Sequence, residues 1–169
     1  MLYVADSVLG TVWRVPKEGG EPTAWATGTE LDPVPASEGG FGVGVNGLKI
    51  HDGAVWVSNT DRSSLLRIPV RGNGSAGPIQ TRATGLTGID DFAFTGRGDT
   101  VLAALIMSNQ VALVRPNGSH SAVLTRQDGL SNPTSVAVRH ETVYVPSAAY
   151  FTMNDPNLLL AHLHQHHDH

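Results

Sequence analysis

Cysteine is absent from the 169 residues. Disulfides therefore cannot hold the fold together, and thiolate catalysis and cysteine metal sites are excluded. Long apolar runs are missing too: no stretch approaches the roughly 18 residues that a membrane-spanning helix needs. Charge of one sign is concentrated nowhere. Eleven Lys and Arg against 15 Asp and Glu give a formal net charge of −4, which points away from nucleic acid and from a membrane as partners. The opening MLYVADS has no basic leader, so no signal peptide is expected. No phosphate loop, zinc-finger spacing or serine-centred elbow occurs. The glycines of GFGVG (40–44) lack the strand–helix context of a nucleotide fingerprint.

Turn residues are plentiful. Gly occurs 19 times and Pro 10 times, favouring many short strands over long helices. The stretch Phe41 to Val70, FGVGVNGLKIHDGAVWVSNTDRSSLLRIPV, reads as strand, turn, strand, turn, strand, with Asp52-Gly53 as a tight hairpin. Parts of it recur. Second strands are LYVADS (2–7), VWVSNT (55–60), VLAALI (101–106) and VYVPSA (143–148). Third strands are TVWRVP (11–16), LLRIPV (65–70), VALVRP (111–116) and LLLAHL (158–163). Equivalent strands start from 42 residues apart (Val101 to Val143) to 54 apart (Thr11 to Leu65), about the length of a four-stranded propeller blade. The innermost strand of the fourth unit is expected over Thr134 to Val138. The polar segment 29–40 reads as a loop between repeat units.

The first unit lacks an innermost strand and the fourth an outermost one. The expected architecture is all-β: a partial six-bladed β-propeller of about three and a half four-stranded blades, spanning residues 1–163. A His-rich tail, 164–169, is expected to be disordered. One blade cannot bury both faces alone, and the end blades leave apolar faces open. We therefore expect self-association or a complementary propeller chain as partner.

The stretch GVNGLKIHDGAVWVSNTDRSSLLRIPV closely resembles the gluconolactonase-like family of six-bladed propellers. That family includes the senescence-marker/regucalcin lactonases and neighbours paraoxonases and strictosidine synthases. LYVADSVLGTVWRVP, DDFAFTGRGD and NPTSVAVRHETVYVPSA resemble the matching segments of neighbouring blades, in the C-terminal part of that fold. The resemblance implies a divalent cation, Ca2+ above all, at the mouth of the central channel. It places metal ligands at Asn46 and Asp90 and the catalytic carboxylate at Asp90 or, one residue on, Asp91. The family's N-terminal glutamate ligand and its additional asparagine have no match here. Carboxylate and amide oxygens suit a hard cation, which would polarise a lactone carbonyl and activate water.

The expected function is a gluconolactonase-like, metal-dependent hydrolase of a small lactone or cyclic ester, completed by another chain. The alternatives are a lyase- or cyclase-like propeller enzyme and a non-catalytic truncated propeller acting in assembly. Elsewhere the residues have plainer readings. His51, His120 and His140 read as solvated residues of turns, and Trp13, Trp25 and Trp56 as blade-to-blade packing. Asn109 and Asn132 are further candidates to face the channel or a loop cleft, although Asn132-Pro133 reads more simply as a turn before a strand. Asn73-Gly74-Ser75 and Asn117-Gly118-Ser119 match glycosylation acceptors at hairpin turns.

Overall fold

The computed structural model describes residues 1–163; the His-rich segment expected at 164–169 lies outside the described residues. The described chain is all-β, with four antiparallel sheets and no closed ring. The first sheet is β1 (Leu2–Asp6), β2 (Thr11–Val15) and β3 (Thr23–Thr27). The second is β4 (Val45–His51), β5 (Ala54–Asn59), β6 (Ser64–Pro69) and β7 (Gln80–Ala83). The third is β8 (Ile89–Phe94), β9 (Val101–Leu105), β10 (Gln110–Val114) and β11 (His120–Leu124). The fourth is β12 (Ala137–Arg139), β13 (Thr142–Ser147) and β14 (Asn157–His162). Each sheet is a meander in chain order, as short hairpin turns require. The Asp52-Gly53 turn has positive φ at both residues, the geometry that matches strand twist.

Alternation along the strands divides each sheet into two apolar faces. Val12, Trp25 and Ala26 of the first sheet pack with Val45, Val55, Val57, Leu66 and Ile68 of the second. Ala54, Trp56 and Leu65 on the opposite face of the second sheet pack with Phe92, Val101, Ala103 and Leu105 of the third. Leu102, Ala104 and Val111 then pack with Val143 and Val145 of the fourth. This is the face-to-face stacking of propeller blades. All six residues of β5 are buried, polar Ser58 and Asn59 included.

Two expectations change in detail. The innermost strand of the fourth sheet is Ala137–Arg139, not Thr134 to Val138. Pro133 bridges Ser147, but its missing N–H and an inserted residue interrupt the ladder before Ala137. Trp25 and Trp56 lie between sheets, as packing predicts. Trp13 instead lies half-buried on the open face of the first sheet, its Nε1 donating to Asp6 Oδ2 at 3.3 Å.

Segment 28–44 is pinned to the second sheet. The Asp61 carboxylate accepts hydrogen bonds from the backbone N–H groups of Val34, Phe41 and Val43. It is a tied inter-sheet loop, as expected from the resumption of the repeat after it.

Leu66 is 1% exposed between the first and second sheets. Leu66→Ala should lower unfolding free energy by about 2–5 kcal/mol through lost burial and a residual cavity, read from the midpoint of urea unfolding at unchanged slope.

Candidate channel site

The site is built on an irregularity shared by the innermost strands. Between Val45 and Leu48 the ladder of β4 against β5 slips by one residue. The same slip occurs between Ile89 and Phe92 on β8. It recurs between the Pro133–Ser147 bridge and the Ala137–Tyr144 pair before β12. Each slip is a β-bulge, which frees backbone groups from the ladder and re-aims side chains. The bulged residues are Asn46-Gly47, Asp90-Asp91 and 134–136. The family resemblance implies Asn46 and Asp90 at a channel mouth; the bulges explain how the two side chains meet.

Asn46 Nδ2 donates to Asp90 Oδ1 at 2.7 Å, bridging neighbouring innermost strands. It also donates to Thr60 Oγ1 at 3.2 Å, and Thr60 Oγ1 donates to the carbonyl of Ile89 at 2.7 Å. Ser58 Oγ accepts from Gly47 N at 2.7 Å and donates to the Asp90 carbonyl at 2.6 Å. The hydroxyls of Ser58, in β5, and Thr60, just after it, thus satisfy backbone groups at both bulges and tie the sheets together. Sequence reasoning missed Ser58 and Thr60. Their signal was two hydroxyls alternating with Trp56 in and just after β5, where the equivalent segment of the third unit has Ala104 and Ile106.

Asp91 is held differently. Lys49 Nζ lies 2.6 Å from Asp91 Oδ1, and Ser135 Oγ donates to Asp91 Oδ2 at 2.7 Å. Lys49 also sits 5.5 Å from the centre of the Phe92 ring, a cation–π contact. Lys49 and Ser135 were not among the sequence candidates. Gly47 is required by this closeness: an added Cβ would lie 2.6 Å from Asp91 Oδ1 and 2.9 Å from the Asp90 carbonyl.

The two aspartates are electrostatically unlike. Burial pushes the Asp90 carboxyl from the ordinary 3.8 up to about 6. The Asn46 hydrogen bond opposes that rise, and the negative charge of Asp91 adds to it. Asn46 Oδ1 and Asp90 Oδ2 accept no hydrogen bond among the described residues. A hard cation takes six to eight oxygens. The pair fits such an ion in kind, with one free oxygen each and a desolvated carboxylate in need of positive charge. It falls short in number. Among the described residues no group of three or more His, Asp or Glu is placed to hold a metal ion.

The other polar candidates have structural work. Asn132 Oδ1 accepts from Phe151 N and Thr152 N, and its backbone N–H donates to Asn109 Oδ1. Asn109 Nδ2 donates to the Leu130 carbonyl. Both clamp loops. A hollow of about 840 Å³ beside them, lined by Asn109, Arg126 and Thr152 among others, contains none of the bulge residues. His51 is half-buried rather than solvated. It stacks on Phe94 with ring centres 3.8 Å apart and lies 3.4 Å from Asp99. His120 and His140 are exposed, as expected.

No family model and no curated protein matches the sequence. Solved structures do match in fold. Virginiamycin B lyase from Staphylococcus aureus aligns with a TM-score of 0.61 and 15% identity, over 85% of this chain and 43% of that one. A chain of the nidogen/laminin complex aligns at 0.68 and 16% identity, over 92% and 56%. Regucalcin, a calcium-binding protein from Agrobacterium tumefaciens, aligns at 0.60 and 16% identity, over 87% and 48%. This chain spans less than half the length of the lyase and of regucalcin. At such identities the likeness establishes a propeller-like fold, which hosts many functions. No helix among the described residues is long and apolar enough to cross a membrane.

Asp90 generates a sign-specific prediction. An acid whose folded pKa is raised adds stability below its unfolded pKa and loses that advantage as pH rises through the folded value. Relative to Asp90→Asn, the wild-type chain should lose stability between pH about 4 and about 6 and then level off. Urea unfolding of both proteins across pH 3–8 checks this; parallel profiles would contradict it. Gly47→Ala should cost about 1–3 kcal/mol, as expected for overpacking, measured in the same way.

Proposed function

We propose that this chain forms part of the channel mouth of a propeller hydrolase acting on a small lactone or cyclic ester, with its missing metal ligands supplied by another part of the assembly. The observation that carries the reading is the Asn46–Asp90 contact. It joins an amide and a desolvated carboxylate across neighbouring innermost strands, leaving one oxygen free on each.

Asn46 and Asp90 are the residues that would hold a divalent cation, Ca2+ by the chemistry of their oxygens. Bound there, such an ion supplies polarisation of an ester carbonyl and acidification of water. The chain's own residues contribute position and proton exchange. Asp90, at about 6, can exchange a proton near neutral pH, where general bases work best. Asp91 has both oxygens engaged by Lys49 and Ser135, so it orients the bulge. Ser58 and Thr60 fix the backbone beneath Asp90.

The lyase reading has a specific support in the likeness to virginiamycin B lyase. Lysis of a cyclic ester and its hydrolysis differ in product: elimination leaves an alkene and a carboxylic acid, hydrolysis a hydroxy acid.

The test is turnover of an aldonolactone with added Ca2+, together with calcium titration calorimetry. Asp90→Asn should reduce turnover by about 100-fold or more and weaken calcium binding, whereas Asp91→Asn should reduce turnover less. Equal turnover and equal calcium affinity in wild type and Asp90→Asn would overturn the proposal.

A further inference from the structure

The two end sheets expose faces that the inner sheets bury. The ladder places Asp6 opposite Thr11 in the first sheet, as Asn59 stands opposite Ser64 in the second. Leu2, Val4, Trp13 and Val15 therefore occupy the positions of Val55, Val57, Leu66 and Ile68. In the second sheet those four are at most 1% exposed, packed on the first. In the first sheet Leu2 is 53% and Val4 48% exposed. At the other end, Ser147 opposite Asn157 sets the same register. Tyr144 and Leu158 there match Trp56 and Leu65, each 1% exposed against the third sheet, yet Leu158 is 57% exposed.

These open faces are the two complementary halves of one contact. The chain makes that contact three times internally, always with the same pair of faces. The shapes are complementary as well. A hollow of about 430 Å³ lined by Val4, Trp13, Val15, Glu21 and Pro22 lies over the first sheet, while Leu158 and Leu160, each 57% exposed, project from the last. Charge agrees. Glu21 precedes β3 at the end of the first sheet where β1 begins. Arg139 closes β12 at the corresponding end of the last.

We propose that two copies of this chain pair head to tail, the open face of β1–β3 on one packing against the open face of β12–β14 on the other. Repeated about a two-fold axis, this contact would close a ring of eight sheets, four from each copy, in place of the six blades expected from the family resemblance. The occupant is a second copy because the chain itself carries both matching faces. A contact of this head-to-tail kind must close or grow without limit, and closure buries both faces at once. The pairing shares no residue with the Asn46–Asp90 cluster, so it stands or falls separately from the hydrolase reading.

The experiment is the solution mass of the whole chain, by light scattering after size exclusion, for wild type, Val4→Arg and Leu160→Arg. Both substituted positions are exposed in the single chain, and circular dichroism checks that each variant is folded. Wild type should run as two chains and each folded variant as one. Mixed in equal amounts, the variants should regain a two-chain species, because one intact face remains on each. A variant that fails to fold is replaced by Leu2→Arg or Leu158→Arg at the same face. A one-chain wild type, a ladder of larger masses, or either variant alone keeping the two-chain mass would overturn the proposal. So would failure of the mixture to re-pair.

Discussion

One inserted residue on each innermost strand is the constraint on which the rest of the channel wall depends. A bulge breaks the ladder where it occurs and leaves backbone groups that must find partners, because buried polar groups without them cost stability. Here Gly47 N–H and the carbonyls of Ile89 and Asp90 find the hydroxyls of Ser58 and Thr60. The same two side chains lie beneath the residues that the bulges turn toward one another. Backbone satisfaction, attachment of one sheet to the next and presentation of Asn46 and Asp90 are thus one arrangement. Gly47 belongs to it, since a Cβ would collide with Asp91.

The bulge also sets two adjacent carboxylates in unlike surroundings. Asp91 has an ammonium group and a hydroxyl; Asp90 has a neutral amide and a carboxyl that burial desolvates. Neighbouring titratable groups whose environments separate their behaviour mark acid–base chemistry in many active sites. They also mark cation sites, where the missing positive charge is the ion's. Of this pair, Asp90 is the one whose carboxyl burial raises, to about 6.

Packing supplies the frame. Each inner sheet has two apolar faces and buries both, while each end sheet buries one. Nothing in a strand's local chemistry distinguishes these cases: Val55 and Leu2 are both ordinary apolar strand residues, yet one is fully buried and the other half-exposed. The difference is position in the stack. Stability in stacked repeats is carried by contacts between neighbours, so the end faces are the natural place for a further sheet.

Much of the architecture was legible in the amino-acid sequence. Alternation in VWVSNT and LLRIPV, turn residues between them and spacing near a blade length define short antiparallel strands, and local alternation survives into the fold because each strand is sandwiched. Asn46 and Asp90 were legible through the family resemblance of the segments that carry them. The slip of register at each innermost strand was not, because a bulge depends on the pairing partner as much as on its own residues. Lys49, Ser135, Ser58 and Thr60 were missed for the same reason: each acts on a residue of another sheet from 29 to 44 positions away, a proximity fixed only when sheets stack. His51 likewise looked like a solvated turn residue until Phe94 and Asp99 were folded against it. The sequence by itself determined the strands, their order and the residue types at the channel. Tertiary structure decided which aspartate meets an ammonium group and which meets a neutral amide, because that choice depends on side chains delivered by neighbouring sheets.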